Sequence, residues 1–136
     1  LLQPKTAKLM GWDFVDSGFR VVFSRRVPDT IRAMMPEAVG AVLQPAGVEP
    51  DRIRHFVFHP GGTRILEAYQ DELDRPPEDF RSSYAVLSRY GNMSSATVLF
   101  VLDEHLRTIS HETDDYGLLA AFGPGFSAEV SLLRWT

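Results

Sequence analysis

The stretch Arg54-His55-Phe56-Val57-Phe58-His59-Pro60-Gly61-Gly62 constrains this chain more than any other. A short apolar run rich in β-formers stops at turn residues, which predicts a buried strand ending on His59. Pro-Gly-Gly then makes a turn, and Thr63 fits as the N-cap of a following helix. Ligands in open α/β sheets gather outside the carboxyl ends of strands, so His59 stands where chemistry is expected. His55, at roughly 3.3 Å per residue, should lie about 13 Å away at the other end of the strand. The two histidines therefore cannot share one site, and His55, His105 and His111 read as structural or surface imidazoles. Position alone leaves His59 itself open between a chemical role and a satisfied structural imidazole.

With 136 residues, 44% hydrophobic and 24% charged, the chain suits one domain with a core of its own. No apolar run approaches the roughly 18 residues that a membrane span requires. Fourteen basic residues against eighteen acidic ones give a net charge of -4, and the arginines are scattered. Nothing in that pattern points to nucleic acid or to an anionic membrane. The chain has no cysteine, which excludes disulfides, thiolate-metal sites and any thiol nucleophile within it. The acidic residues and histidines show no metal-ligand spacing either. The chain starts at Leu1 without an initiator Met or signal peptide, and the expectation is a piece of a longer, cytoplasmic protein.

Residues 1 to 10 lack periodicity and read as a linker or edge segment. Asp13-Phe14-Val15 and Phe19-Arg20-Val21-Val22-Phe23-Ser24, joined by Asp16-Ser17-Gly18, suggest a β-hairpin. Phe19, Val21 and Phe23 share one face of its second strand, as core packing or as a pocket wall. Pro28 suits the start of a helix carrying Ile31, Met35, Val39, Val42 and Leu43, and Pro36 predicts a kink or break in it. Gln44-Pro45-Ala46-Gly47 ends that helix. After Gly62, Ile65, Leu66, Tyr69 and Leu73 form an amphipathic helix. Asp74 to Glu78 is a solvated loop. A helix from about Ser82 to Tyr90 buries Tyr84, Val86 or Leu87, and Tyr90, and stops at Gly91.

Asn92 then precedes Met93-Ser94-Ser95-Ala96-Thr97-Val98-Leu99-Phe100-Val101-Leu102, a helix apolar almost all round and so expected deep inside a larger body. The plain reading of Asn92 is an N-cap that satisfies the amides two and three residues on. Gly117 to Phe122 and Phe126 to Trp135 read as strands joined by Gly123-Pro124-Gly125. Pro before Gly there supports a type II turn. That turn is either an ordinary hairpin or a backbone wall that a ligand can approach closely. The element order predicts an α/β fold with a mixed sheet that finishes on an antiparallel hairpin.

Three separated motifs, His59-Pro60-Gly61-Gly62, Tyr90-Gly91-Asn92-Met93-Ser94-Ser95-Ala96-Thr97-Val98 and Phe122-Gly123-Pro124-Gly125, together resemble the type III polyketide synthases. These are the chalcone and stilbene synthase-like members of the thiolase superfamily. The ketoacyl synthases that start fatty acid synthesis also pair a His with an Asn. They typically carry Gln-Ala-Asn after the histidine and Thr after the Gly-Asn pair, and this chain has neither. The resemblance covers most of the chain and implies the C-terminal half of a thiolase-like enzyme, a single domain with helices on both faces of the sheet. It implies a Cys-His-Asn catalytic set in which this chain supplies His59 and Asn92, while the cysteine belongs to an N-terminal partner half.

On that resemblance, His59 keeps the thiolate ionised, and His59 and Asn92 donate to the thioester oxygen of malonyl-CoA. Ser94 faces the cavity, Gly61 and Arg64 lie toward the coenzyme A entrance, and Phe122, Gly123, Pro124 and Gly125 form part of the cavity wall. Val21 falls where plant-type members carry a gatekeeping phenylalanine. The Gly11 to Phe19 run is similar to bacterial members that make alkylpyrones or alkylresorcinols from fatty acyl-CoA starters. The implied substrates are coenzyme A thioesters with no cofactor or metal, and the implied assembly is a homodimer. The competing readings are a ketoacyl synthase III-like enzyme and a non-catalytic thiolase-like binding or assembly domain.

Overall fold

The computed structural model describes residues 9–136, except for the side chain of Val21. Most of the stretch read as a linker, residues 1–8, lies outside the described residues. In chain order the elements are β1 (Met10–Val15), β2 (Gly18–Phe23), α1 (Val27–Ala46), β3 (Ile53–Phe58), α2 (Thr63–Leu73), α3 (Arg81–Tyr90), α4 (Thr97–Thr108), β4 (Tyr116–Gly123) and β5 (Ser127–Arg134). Short 3-10 turns at Pro50–Arg52, Pro77–Phe80 and Ser94–Ala96 link them.

The main sheet runs β3-β4-β5, with β3 parallel to β4 and β4 antiparallel to β5. This is the mixed sheet that the element order predicted, and it ends on the antiparallel pair. Alternation along the strands divides its side chains between two layers. Phe56 and Phe58 of β3, with Leu118, Ala120 and Phe122 of β4, pack with Ile31, Met35 and Leu43 of α1 and Leu66 and Tyr69 of α2. Val57 packs on the opposite face with Val86 of α3 and Val101 of α4, beside Leu119 and Leu133. Helices thus cover both faces, and His55 and Val57 of β3 point toward α3 and α4.

Two glycines are set by geometry. In the β4–β5 turn Gly125 has φ +74°, the left-handed value that the third position of a type II turn requires. On β4, a Cβ at Gly117 would lie 2.6 and 2.8 Å from ring carbons of Trp135 and 2.9 Å from Cβ of His55. Only glycine lets those two rings close over the strand.

Several local expectations are corrected. Helix α1 runs through Pro36 as one helix, without the expected break. The ring is on the exposed side, while Ile31, Met34, Met35, Ala38 and Val39 around it are buried. That packing outweighs the roughly 3 kcal/mol that an interior proline costs. Gly62, rather than Thr63, is the N-cap of α2. Tyr90 is 48% exposed, and the apolar helix expected from Met93 begins only at Thr97, with Leu99 62% and Phe100 44% exposed. The hairpin face is not core: Phe14 is 82% and Phe19 73% exposed, and their rings meet edge to face with centroids 5.3 Å apart.

Candidate active site

His59 directly follows β3, and its N–H donates to Ala120 O at 2.8 Å, continuing the parallel ladder one residue beyond the strand. Its own carbonyl accepts from Gly61 N–H at 3.1 Å and from the Tyr69 hydroxyl at 3.3 Å. Tyr69 is fully buried, and that burial pushes its hydroxyl pKa far up, so it acts only as a neutral donor. The backbone that carries the imidazole is therefore pinned by the neighbouring strand, by its own turn and by helix α2. The ring is half-buried, and desolvation lowers its pKa below the ordinary histidine value. A thiolate placed beside it would oppose that shift, because opposite charges favour the imidazolium.

Asn92 lies between α3 and α4. Its Oδ1 accepts from Ser94 N–H at 2.9 Å, and its Nδ2 donates to Gly61 O at 3.3 Å. The N-cap reading predicted acceptance from the amides two and three residues on. Only the first of those bonds is present, and it closes the loop ahead of the 3-10 turn rather than capping α4. The amide instead reaches across to the Pro-Gly-Gly turn. His59, Gly61, Asn92 and Ser94 are thereby joined into one cluster at the carboxyl end of β3. Ser94 is exposed and has φ +61°.

The remaining predicted residues divide. Arg64 is exposed in the first turn of α2. Phe122, Gly123, Pro124 and Gly125 close β4 at the same edge of the sheet, since Ala120 pairs with the end of β3. The Phe122 ring, however, is buried in the α1–α2 layer, 6.0 Å from Tyr69 and 5.8 Å from Phe126 between centroids. It faces away from the α3–α4 layer into which His55 and Val57 point, so any wall made here on that side is backbone. Val21 is in β2 opposite Trp12, in a hairpin separate from the main sheet, and its side chain is outside those described. Two surface cavities, of about 260 and 630 Å³, adjoin the C-terminal half of α1 and are lined by neither His59 nor Asn92.

The sequence reading overlooked a buried hydrogen-bonded chain at the other end of β3. Asp115 Oδ2 is 3.1 Å from His55 Nε2, His55 Nδ1 is 3.1 Å from His105 Nε2, and His105 Nδ1 is 3.2 Å from Ser82 Oγ. With Asp115 ionised and both imidazoles neutral, the protons are ordered: His55 donates to Asp115, His105 to His55, and Ser82 to His105. Trp135 covers His55 with ring centroids 4.3 Å apart. The available signal was parity, since His55 shares its strand face with Val57 and must meet α4. Among the described residues, no group of three or more His, Asp or Glu is arranged to hold a metal ion.

The C-terminal domain profile of the chalcone and stilbene synthases matches residues 1–136. The chain is 40% identical over 134 residues to the 1,3,6,8-tetrahydroxynaphthalene synthase of Streptomyces peucetius subsp. caesius, covering 98% of this chain and 36% of that protein. It superposes with a TM-score of 0.91 and 36% identity on the crystal structure of the Streptomyces coelicolor 1,3,6,8-tetrahydroxynaphthalene synthase, a bacterial type III polyketide synthase, covering 99% of this chain and 38% of that one. The C-terminal type III polyketide synthase domain of Steely1, from Dictyostelium, superposes with a TM-score of 0.89 at 29% identity, covering 98% of this chain and 38% of that one. The chain thus spans just over a third of the length of these relatives. From the shape of its sheet, its three motifs and these matches, the chain belongs to the chalcone and stilbene synthases as their C-terminal domain.

Proposed function

We propose that the chain is the C-terminal domain of a polyketide-forming acyltransferase that condenses malonyl-CoA onto an acyl-CoA starter. His59 and Asn92 act together with a cysteine carried by an N-terminal half. The starter acyl group rests on that cysteine as a thioester. In bound malonyl-CoA the bond to the free carboxylate breaks, carbon dioxide leaves, and the electron pair forms an enolate with its charge on the thioester oxygen. The enolate carbon attacks the cysteine-bound carbonyl and expels the thiolate. His59 and the Asn92 amide donate to the enolate oxygen, and preorganised donors at a developing charge are each worth about 3 kcal/mol. Asparagine suits this because it donates without titrating. Gly61 and Arg64 lie toward the coenzyme A arm, Ser94 toward the cavity, and the full-length protein is a homodimer.

The observation that carries this reading is the pair of bonds made by Asn92. Its oxygen is occupied by Ser94 N–H and its Nδ2 is turned toward the His59 turn. In the full-length enzyme, Asn92→Ala should slow malonyl-CoA decarboxylation about a hundredfold or more while leaving starter loading much less affected. Unchanged decarboxylation by a folded variant would reduce Asn92 to a loop-closing residue.

For the starter, the hairpin sequence supports a fatty acyl group with alkylpyrone or alkylresorcinol products. The name of the 40%-identical relative favours a second outcome, an aromatic polyketide without an alkyl chain. Val21→Phe tests the fatty reading. With a fatty starter the substitution should move relative kcat/KM toward shorter acyl-CoAs, by a factor that reflects about 1 to 3 kcal/mol per methylene. An unchanged starter profile and product length would remove Val21 from the specificity determinants.

A further inference from the structure

We infer that Thr97 is a positioning residue for the Asn92 amide, acting through the backbone of Ser94. Its side chain is fully buried at the first position of α4. Its hydroxyl accepts from Met93 N–H at 2.8 Å and donates to Ser94 O at 2.8 Å, so one oxygen ties together both flanks of the peptide between those residues. Ser94 holds φ +61°, which a side-chain-bearing residue adopts at a cost and keeps only when its surroundings impose it. Met93, with φ -95° and ψ 25°, turns the Ser94 N–H back at Asn92 Oδ1, 2.9 Å away. With the oxygen captured, Nδ2 has one direction left, toward Gly61 and the His59 turn.

The linkage is therefore sequential: the Thr97 hydroxyl holds the Met93–Ser94 peptide, the N–H of that peptide orients the amide, and the amide presents its donor. Without the hydroxyl, the Met93–Ser94 peptide is free to turn and the Asn92 amide is free to rotate. A rotated amide offers its oxygen to a developing oxyanion in place of its N–H, which is repulsive. The methyl group of threonine fills the buried site, and valine would do so equally well. The hydroxyl is what the loop requires.

This inference rests on the proposed role of Asn92, and the test separates the two. Malonyl-CoA decarboxylation is measured in the full-length enzyme for Thr97→Val, Thr97→Ser, Asn92→Ala and the Thr97→Val/Asn92→Ala double variant. The expected result is that Thr97→Val lowers kcat about tenfold, equivalent to about 1.4 kcal/mol, with KM within about twofold of wild type. Thr97→Ser, which keeps the hydroxyl, recovers most of the loss. The double variant is no slower than Asn92→Ala alone, because the residue through which Thr97 acts is already gone. If Thr97→Val does not fold, Thr97→Ala, which leaves room for a water, takes its place. A Thr97→Val enzyme with wild-type kcat and only a lowered melting temperature overturns the inference and leaves the role of Asn92 standing. A wild-type rate in Asn92→Ala removes the proposed role of Asn92 first and this inference with it. Equal, additive losses on both backgrounds make Thr97 structural.

Discussion

Asn92 and His105 illustrate how a single side chain takes its character from what surrounds it. The same Gly-Asn pair that suits an N-cap serves here as a bridge between two loops, its Oδ1 taking the Ser94 amide while its Nδ2 reaches Gly61 O. His105, 3% exposed, has its pKa lowered from 6.5 to about 4, chiefly by burial and then by His55, with Arg81 and His111 adding to the repulsion. The folded protein keeps it neutral, whereas the unfolded chain protonates it below about pH 6.5. Stability from this group is thus complete above pH 6.5 and falls as the pH drops toward 4, by up to about 3 kcal/mol. His105→Gln retains an amide donor for His55 but cannot titrate, and it deprives Ser82 of its acceptor. The variant should melt lower than wild type at pH 7 yet lose less melting temperature between pH 7 and 4.5. Equal losses in the two proteins would show that the acid sensitivity arises elsewhere.

At the scale of elements, β3 is the organising strand because its two ends do different work. Its carboxyl end presents His59 to the loops, and its start holds His55 in the chain that ties β3 to α3, α4 and the segment before β4. Gly117 allows that second arrangement by admitting Trp135 and His55 over the β4 backbone. Gly117→Ala must push aside a buried ring and a strand Cβ, and overpacking of this kind costs about 1 to 3 kcal/mol. The melting temperature should fall accordingly. Were Trp135 not packed there, the sign would reverse, since alanine in a strand is otherwise favoured over glycine by about 0.5 to 1 kcal/mol. A thermal melt therefore decides the point by direction alone.

For the molecule as a whole, the surface records what the described residues leave uncovered. Tyr90, Leu99 and Phe100 are exposed beside the Asn92 loop, with the Tyr90 and Phe100 rings edge to face at 5.5 Å. Trp12, Phe14 and Phe19 are exposed on the hairpin. The chain has no cysteine and spans 36% of its 40%-identical relative. On the proposed function, the segment alone, purified and given a starter thioester and malonyl-CoA, forms no polyketide, since it has no cysteine to hold the growing acyl chain. It should also bind a hydrophobic dye, and co-expression with the N-terminal half should suppress that binding. Polyketide formation by the segment would sink the shared-site reading, and dye binding unaffected by the N-terminal half would separate these faces from that partner.

The strand before His59, the Pro-Gly-Gly turn, the amphipathic α2 and the Gly-Pro-Gly hairpin were all legible in the sequence. Each is written in neighbouring residues: an apolar run with its stop, a helical period, a proline that presets a turn and a glycine that completes it. The mixed sheet followed from the order of those elements. What the sequence could not decide was every choice settled by a distant partner. Pro36 stays inside α1 because buried residues on both sides of it hold the helix to the sheet, an energy absent from any local window. Helix α4 starts at Thr97 and not at Met93, because its hydroxyl folds the preceding residues into a 3-10 turn. Phe122 turns into the α1–α2 layer because the register of β4 against β3 sets its face. His55 and His105, 50 residues apart in sequence, become partners only when α4 packs on β3, since long-range hydrogen bonds are created by tertiary packing and have no local signature.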